Sequence, residues 1–176
     1  MRPIPDAVAD ALHAAGLLAV AGALAWATGR PLVFPSLGPS AYLIAAGPER
    51  PSARALLGGH AVGILAGLLA YHGLADGAVI TGALAAGDPT GAGLAASGVV
   101  SVGVTTFGMA LTDTRHAPAC ATTLIVSLGL LPSVADAAVI AVGVAVLWLA
   151  SQATTVMSPG TAAAEGAGRE PGGRKR

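Results

Sequence analysis

The residues best suited to chemistry lie together in the stretch TDTRHAPACATTLI, residues 112–125, which contains Asp113, Arg115, His116 and Pro118. A neutral His116 can both donate and accept a hydrogen bond, and a protonated one adds positive charge that favours an anion and couples binding to protons. The planar guanidinium of Arg115 can bind an oxyanion through two parallel hydrogen bonds. Long apolar runs flank the stretch. The combination indicates anion recognition inside an apolar protein.

Simpler roles for the same residues stay open. If His116 lies at the end of a helix, its side chain would simply extend to the polar surface of the membrane. Arg115 beside a cytoplasmic loop would act as a topological anchor. Asp113 either pairs with Arg115 or is solvated, and the sequence does not choose between the two.

The composition is that of an integral membrane protein. Charged residues make up 10% of the 176 residues, against about 25% in typical domains, and the mean hydropathy is +0.73. Zero formal net charge gives no argument for nucleic-acid binding. No catalytic motif and no metal-ligand spacing is present, so we expect neither an enzyme nor a cofactor.

The uncharged runs predict about six transmembrane segments. Four are ordinary spans, namely 11–28, 56–74, 92–111 and 137–157. Two are shorter and interrupted by proline, at 31–46 and 116–131. Each short segment stands between two ordinary spans, so the chain divides into two units of three segments. We therefore expect an all-α membrane fold of two inverted repeats.

The basic residues test this topology. With six crossings and a cytoplasmic N-terminus, eight basic residues lie inside and only Arg30 lies outside. If the short segments instead re-entered and returned, the division would be five against four. Six crossings with both termini inside is the better interpretation. The expected organisation is a cytoplasmic segment 1–10, a membrane domain 11–157 and a flexible basic tail 158–176.

The interrupted segments predict the binding site. An interrupted helix in a membrane is tolerated where it is buried in protein or lines a cavity, although a mere kink remains the alternative. Pro39 and Pro118 suit first helical turns, and Ser36 and Thr114 are candidate caps. Each short helix would then direct free N–H groups and its positive dipole end at the break, as anion sites require. We expect the substrate-binding residues to be Ser36, Gly38, Pro39, Ser40, His60, Arg115, His116 and Pro118.

His60 is included because a polar side chain within an apolar helix should face the bundle interior. The same helix carries Gly59, Gly63 and Gly67 at four-residue spacing, a smooth face for close contact within the fold or between protomers.

Three stretches, FPSLGPSAYLI, RALLGGHAVGILAG and TRHAPACATTLI, in this order resemble the HPP family of membrane proteins over about residues 11–157. The family is named for a His-Pro-Pro motif that usually continues Ala-Gly-Ala. His116 and Pro118 match it, while Ala117 replaces the middle proline and Cys120 replaces the glycine.

This resemblance implies a small-anion transporter, because some plant and cyanobacterial members are assigned as nitrite transporters of the chloroplast envelope or the cell membrane. It also implies four membrane helices, whereas the arginine distribution favours six crossings. We expect a multi-pass cell-membrane protein that carries a nitrite-like anion, with the lipid bilayer as partner and a homo-oligomer with a pore in each protomer. The alternative is a membrane sensor or assembly subunit that transports nothing.

Overall fold

A computed structural model describes residues 3–82 and 85–157, and every regular element in those ranges is helical. The predicted tail 158–176 lies outside the described residues. The helices are α1 (Ile4–Thr28), α2 (Leu37–Ala46), α3 (Gly59–Leu74), α4 (Pro89–Thr112), α5 (Pro118–Ser127) and α6 (Val134–Met157), with a π-helical turn Arg54–Gly58 directly before α3. The predicted all-α class is confirmed. Helix α1 begins at Ile4, so residues 4–10 of the predicted N-terminal segment are helical.

Local sequence signals set several helix ends. Asp88 caps α4 by accepting a hydrogen bond from the Thr90 amide at 2.7 Å. Pro89 occupies the first turn, where a backbone N–H would have no acceptor within the helix, so the absence of that group from proline costs no hydrogen bond. Before α6, the Ser133 amide donates to Asp136 and the Asp136 amide donates to the Ser133 hydroxyl, each at 3.1 Å. This reciprocal pair is a capping box with aspartate in place of glutamate.

Four apolar helices in the described ranges are long enough to cross a membrane: Ile4–Thr28, Arg54–Leu74, Pro89–Thr112 and Val134–Thr154. Helices α2 and α5 have 10 residues each, or about 15 Å of helix, which is half of a hydrocarbon core of about 30 Å. The sequence prediction of two short, proline-containing helices among longer ones is therefore confirmed.

Contacts between helix ends give the direction of the first three elements. The C-terminal half of α2 lies beside the beginning of α1, since Tyr42 and Ala46 share a crevice with Ala7. Val33, in the extended chain before α2, instead lies beside Gly22 in the later half of α1. The extended segment and α2 together therefore run back along α1, and α3 then begins at the end of the bundle where α1 began.

The last three elements follow the same alternation. Arg54 Nη2 donates to the Thr112 carbonyl at 2.6 Å, so α4 ends where the α3 segment begins. Helix α5 then runs parallel to α3, because Gly59 contacts His116 and Gly67 contacts Val126. Helix α6 returns along α1, with His13 Nε2 3.0 Å from Thr154 Oγ1. We call the end with Arg54 and Thr112 the basic end and the end with Leu74 and Gly93 the far end.

Candidate functional site

The first break is an extended segment that turns into α2. Ser36 and Ser40 have no exposed surface and lie one helical turn apart, facing the interior. Ser36 stands at the N-cap position, yet its side chain makes no capping hydrogen bond, so its predicted role as a cap is wrong. Its hydroxyl is used in a contact with α5.

The second break follows α4, which ends at Asp113 with a left-handed backbone at φ 53°. The Thr114 amide donates back to the Met109 carbonyl at 3.0 Å, which closes the turn. Thr114 is not the cap of α5, because Ala117 holds that position and Thr114 Oγ1 lies 2.7 Å from Thr112 Oγ1. The chain then places His116 inside the bundle directly before Pro118, the first residue of α5.

The third contribution comes from α3, where the π-helical turn Arg54–Gly58 precedes His60 by one residue. Glycines let α5 lie against this helix. A Cβ on Gly63 would be 2.7 Å from the Ala119 carbonyl oxygen, closer than side chains tolerate. Gly59 and Gly67 make similarly close contacts with the Thr114–His116 segment and with α5. The glycine face therefore serves packing within the fold, and His60 is held against the start of α5.

These three elements meet in a buried polar cluster, which comprises Ser36, Ser40, His60, His116 and Thr122. Ser40 Oγ lies 3.1 Å from His60 Nε2 and 2.9 Å from His116 Nε2. The two imidazole centroids are 5.1 Å apart with planes inclined by 60°. One serine hydroxyl thus joins two histidines from different parts of the chain.

The cluster is closed by Thr122 of α5. Thr122 Oγ1 lies 2.6 Å from Ser36 Oγ and 2.7 Å from His60 Nδ1. Ser40 Oγ also donates to the Ser36 carbonyl at 3.0 Å. No exposed surface remains on either serine or on Thr122. The beginnings of α2 and α5 therefore face the same cluster from opposite directions along the bundle.

The contacts fix the tautomers of both imidazoles. Because Ser40 donates to a carbonyl, each Nε2 atom must donate to Ser40 Oγ. A neutral His60 then has no hydrogen on Nδ1, which accepts from the Thr122 hydroxyl. Because hydroxyl hydrogens rotate, the Ser36 hydroxyl can donate to Thr122 in turn. The cluster is therefore satisfied with both imidazoles neutral.

A pocket of about 380 Å³ leads from the basic end to this cluster. Its lining includes Glu49, Arg50, Arg115 and His116. We call it the vestibule. Arg50 also donates to the Ser151 carbonyl of α6, which fixes its guanidinium near the mouth. His116 is the residue shared by the vestibule and the buried cluster.

The structure thus brings together Ser36, Ser40, His60 and His116 of the residues expected from the sequence. Gly38 is half-buried in the first turn of α2, whereas Pro39 is exposed and stays outside the cluster. Pro118 is buried at the start of α5, so it shapes the break. Arg115 is exposed in the vestibule, and within the described residues no ion pair joins it to Asp113.

One expectation about the breaks is wrong. The amides of Leu37, Ala119 and Cys120 are not free, because they donate to the carbonyls of Phe34, His116 and Ala117 at 3.0, 2.9 and 3.1 Å. Tight turns satisfy these groups at the helix starts. These three backbone amides are therefore not available to a ligand.

Sequence reasoning missed Thr122. It lies four residues after Pro118, on the same side of α5 as the helix start, and three hydroxyl residues in a 10-residue apolar helix are a usable signal. The described residues contain no group of three or more His, Cys, Asp and Glu side chains placed to hold a metal.

Comparison with known protein families gives one match. The family described as "HPP, transmembrane region" matches residues 3–160 of the chain. No curated protein and no solved structure matches this chain.

Proposed function

The chain belongs to the HPP transmembrane family, and from this membership and the buried cluster we propose that it transports a small inorganic anion, with nitrite as the leading candidate. The family match covers all of the described helices. Nitrite comes from the sequence resemblance, and the cluster supports the broader class of small anions.

The observation that carries the proposal is the meeting of two helix beginnings around donor side chains. The positive dipole ends of α2 and α5 both lie at the cluster. Ser36, Ser40, Thr122 and two imidazoles are its side chains, and none is a carboxylate. Such a set, at the positive ends of two helices, can stabilise a small anion. It matches the sites of transporters built on interrupted helices.

The vestibule supports the same class of substrate. Arg50 and Arg115 outnumber Glu49 in its lining, so the local field attracts anions toward His116.

The topology proposed for this activity is six crossings in two inverted units, α1–α3 and α4–α6. The alternating directions of the elements support it, with α2 and α5 running oppositely from the central cluster. The arginine distribution supports a cell-membrane orientation in which both termini and the vestibule are cytoplasmic. We propose no enzymatic activity. A homo-oligomer, with a complete path in each protomer, remains part of the proposal.

A direct test is uptake by liposomes that contain the purified protein. Nitrite, nitrate, chloride and formate would be offered separately, with protein-free liposomes as the baseline. The proposal requires protein-dependent uptake of at least one of these anions. A folded, monodisperse protein that moves none of them would instead favour the rival role as a non-transporting sensor or assembly subunit.

A further inference from the structure

A second set of buried hydroxyl groups lies between α4 and α5, apart from the central cluster. Ser97, Ser101 and Thr105 recur every four residues along one face of α4, and none has exposed surface. Thr123 and Ser127 face them from α5 and are equally buried. We call these five residues the hydroxyl seam.

The contacts of the seam are incomplete at one point. Thr105 Oγ1 lies 2.7 Å from Thr123 Oγ1, and Ser97 Oγ donates to the Ser127 carbonyl at 2.9 Å. Ser101 donates only to Gly98 of its own helix, at 3.0 Å. The Ser127 hydroxyl is buried and has no hydrogen-bond partner among the described residues. Buried polar atoms of this kind normally meet water or a ligand.

The hydroxyl seam extends from beside the central cluster toward the far end of the bundle. Thr123 is adjacent in sequence to Thr122 of the central cluster and donates to the Gly63 carbonyl of α3 at 3.1 Å, so one end of the seam lies beside the cluster. The other end, at Ser97, lies one helical turn from Gly93, which contacts Leu74 at the far end. The seam extends for about 12 Å along α4. Vestibule, cluster and seam together provide polar groups from one end of the bundle nearly to the other.

We propose that the hydroxyl seam is the second half of the anion path, from the central cluster to the far end. This inference rests on the proposed function. Each hydroxyl can donate one hydrogen bond without adding a charge, so the seam can replace part of the hydration of a small anion without trapping it. Thr105 and Thr123 are in contact, so passage requires α4 and α5 to separate there.

Helix packing alone is the competing explanation, because buried serine and threonine residues also join membrane helices. Ser127→Ala separates the two explanations. The hydroxyl that this change removes has no partner, so packing predicts unchanged stability and unchanged uptake. The path predicts unchanged stability with initial nitrite uptake reduced about threefold, since one donor along the route is lost.

Thr105→Val and Thr105→Ser form the second test, with Thr106→Val as the matched control. Thr106 is the exposed neighbour on α4 and bonds only the Val102 carbonyl of its own helix. We expect Thr105→Val to reduce uptake about tenfold, with Thr105→Ser and Thr106→Val near the unmodified protein. Nitrite affinity, measured by calorimetry in detergent, should stay unchanged in all three because the central cluster is intact.

Uptake that is unaffected in both Ser127→Ala and Thr105→Val would overturn the seam as a path, while wild-type uptake would still support transport. Equal loss in Thr105→Ser and Thr105→Val would also overturn it, because serine keeps the hydroxyl. Absence of uptake by the wild-type protein would refute the proposed function itself, and the seam with it.

Discussion

His60 and His116 both direct Nε2 at the hydroxyl of Ser40, at 3.1 and 2.9 Å. The first histidine lies on a long helix and the second on the break before a short one, and Ser40 belongs to the other short helix. The contact with His116 joins the first three helices to the last three, whereas the contact with His60 lies within the first three. Three predictions about the cluster and the packing around it follow, beyond the tests of the seam.

Replacement of the vestibule histidine should abolish transport. His116→Ala removes the only residue shared by the vestibule lining and the cluster, so we expect anion uptake to fall by at least about tenfold. His72→Ala is the matched control, because His72 is exposed near the far end and contacts Asp76. Initial uptake rates in liposomes measure both. Equal rates for the two variants would remove His116 from the site.

The hydroxyl of Thr122 should matter for anion affinity. Thr122→Val keeps the shape but leaves His60 Nδ1 and Ser36 Oγ without this partner, which costs about 1–3 kcal/mol. Thr122→Ser retains the hydroxyl and should recover most of the loss. Calorimetric titration with nitrite and thermal unfolding in detergent give the two readouts. A Thr122→Val protein that binds nitrite as tightly as the wild type would show that this hydroxyl is not needed.

Close contact between α3 and α5 makes Gly63 irreplaceable. Gly63→Ala would place its methyl group against the backbone of Ala119, and we expect a loss of about 1–3 kcal/mol of stability. Gly73 lies on the same helix with no atom within 4 Å of its virtual Cβ. Gly73→Ala should therefore be neutral or slightly stabilising. Thermal unfolding measures the stability of both variants. A Gly63→Ala protein as stable as the wild type would contradict the close contact between α3 and α5.

Some features of the site could be predicted from sequence because membrane physics constrains them locally. A histidine in an apolar helix must face the interior, so His60 could be assigned correctly from its surroundings alone. Ser36 and Ser40 followed from the interrupted segment that contains them. Pro39 did not join them, because in α2 its ring faces outward, and only the packing of the helix determines that face.

The sequence by itself determined a helical membrane protein with two short interrupted helices, because long uncharged runs and paired prolines restrict the backbone wherever the chain goes. Only the tertiary structure decided that one serine joins two histidines, that Thr122 closes the cluster and that the glycine face of α3 packs within the fold. Those contacts depend on how helices distant in the chain lie against each other. That arrangement is set by the fit of many side chains at once, and no local stretch encodes it.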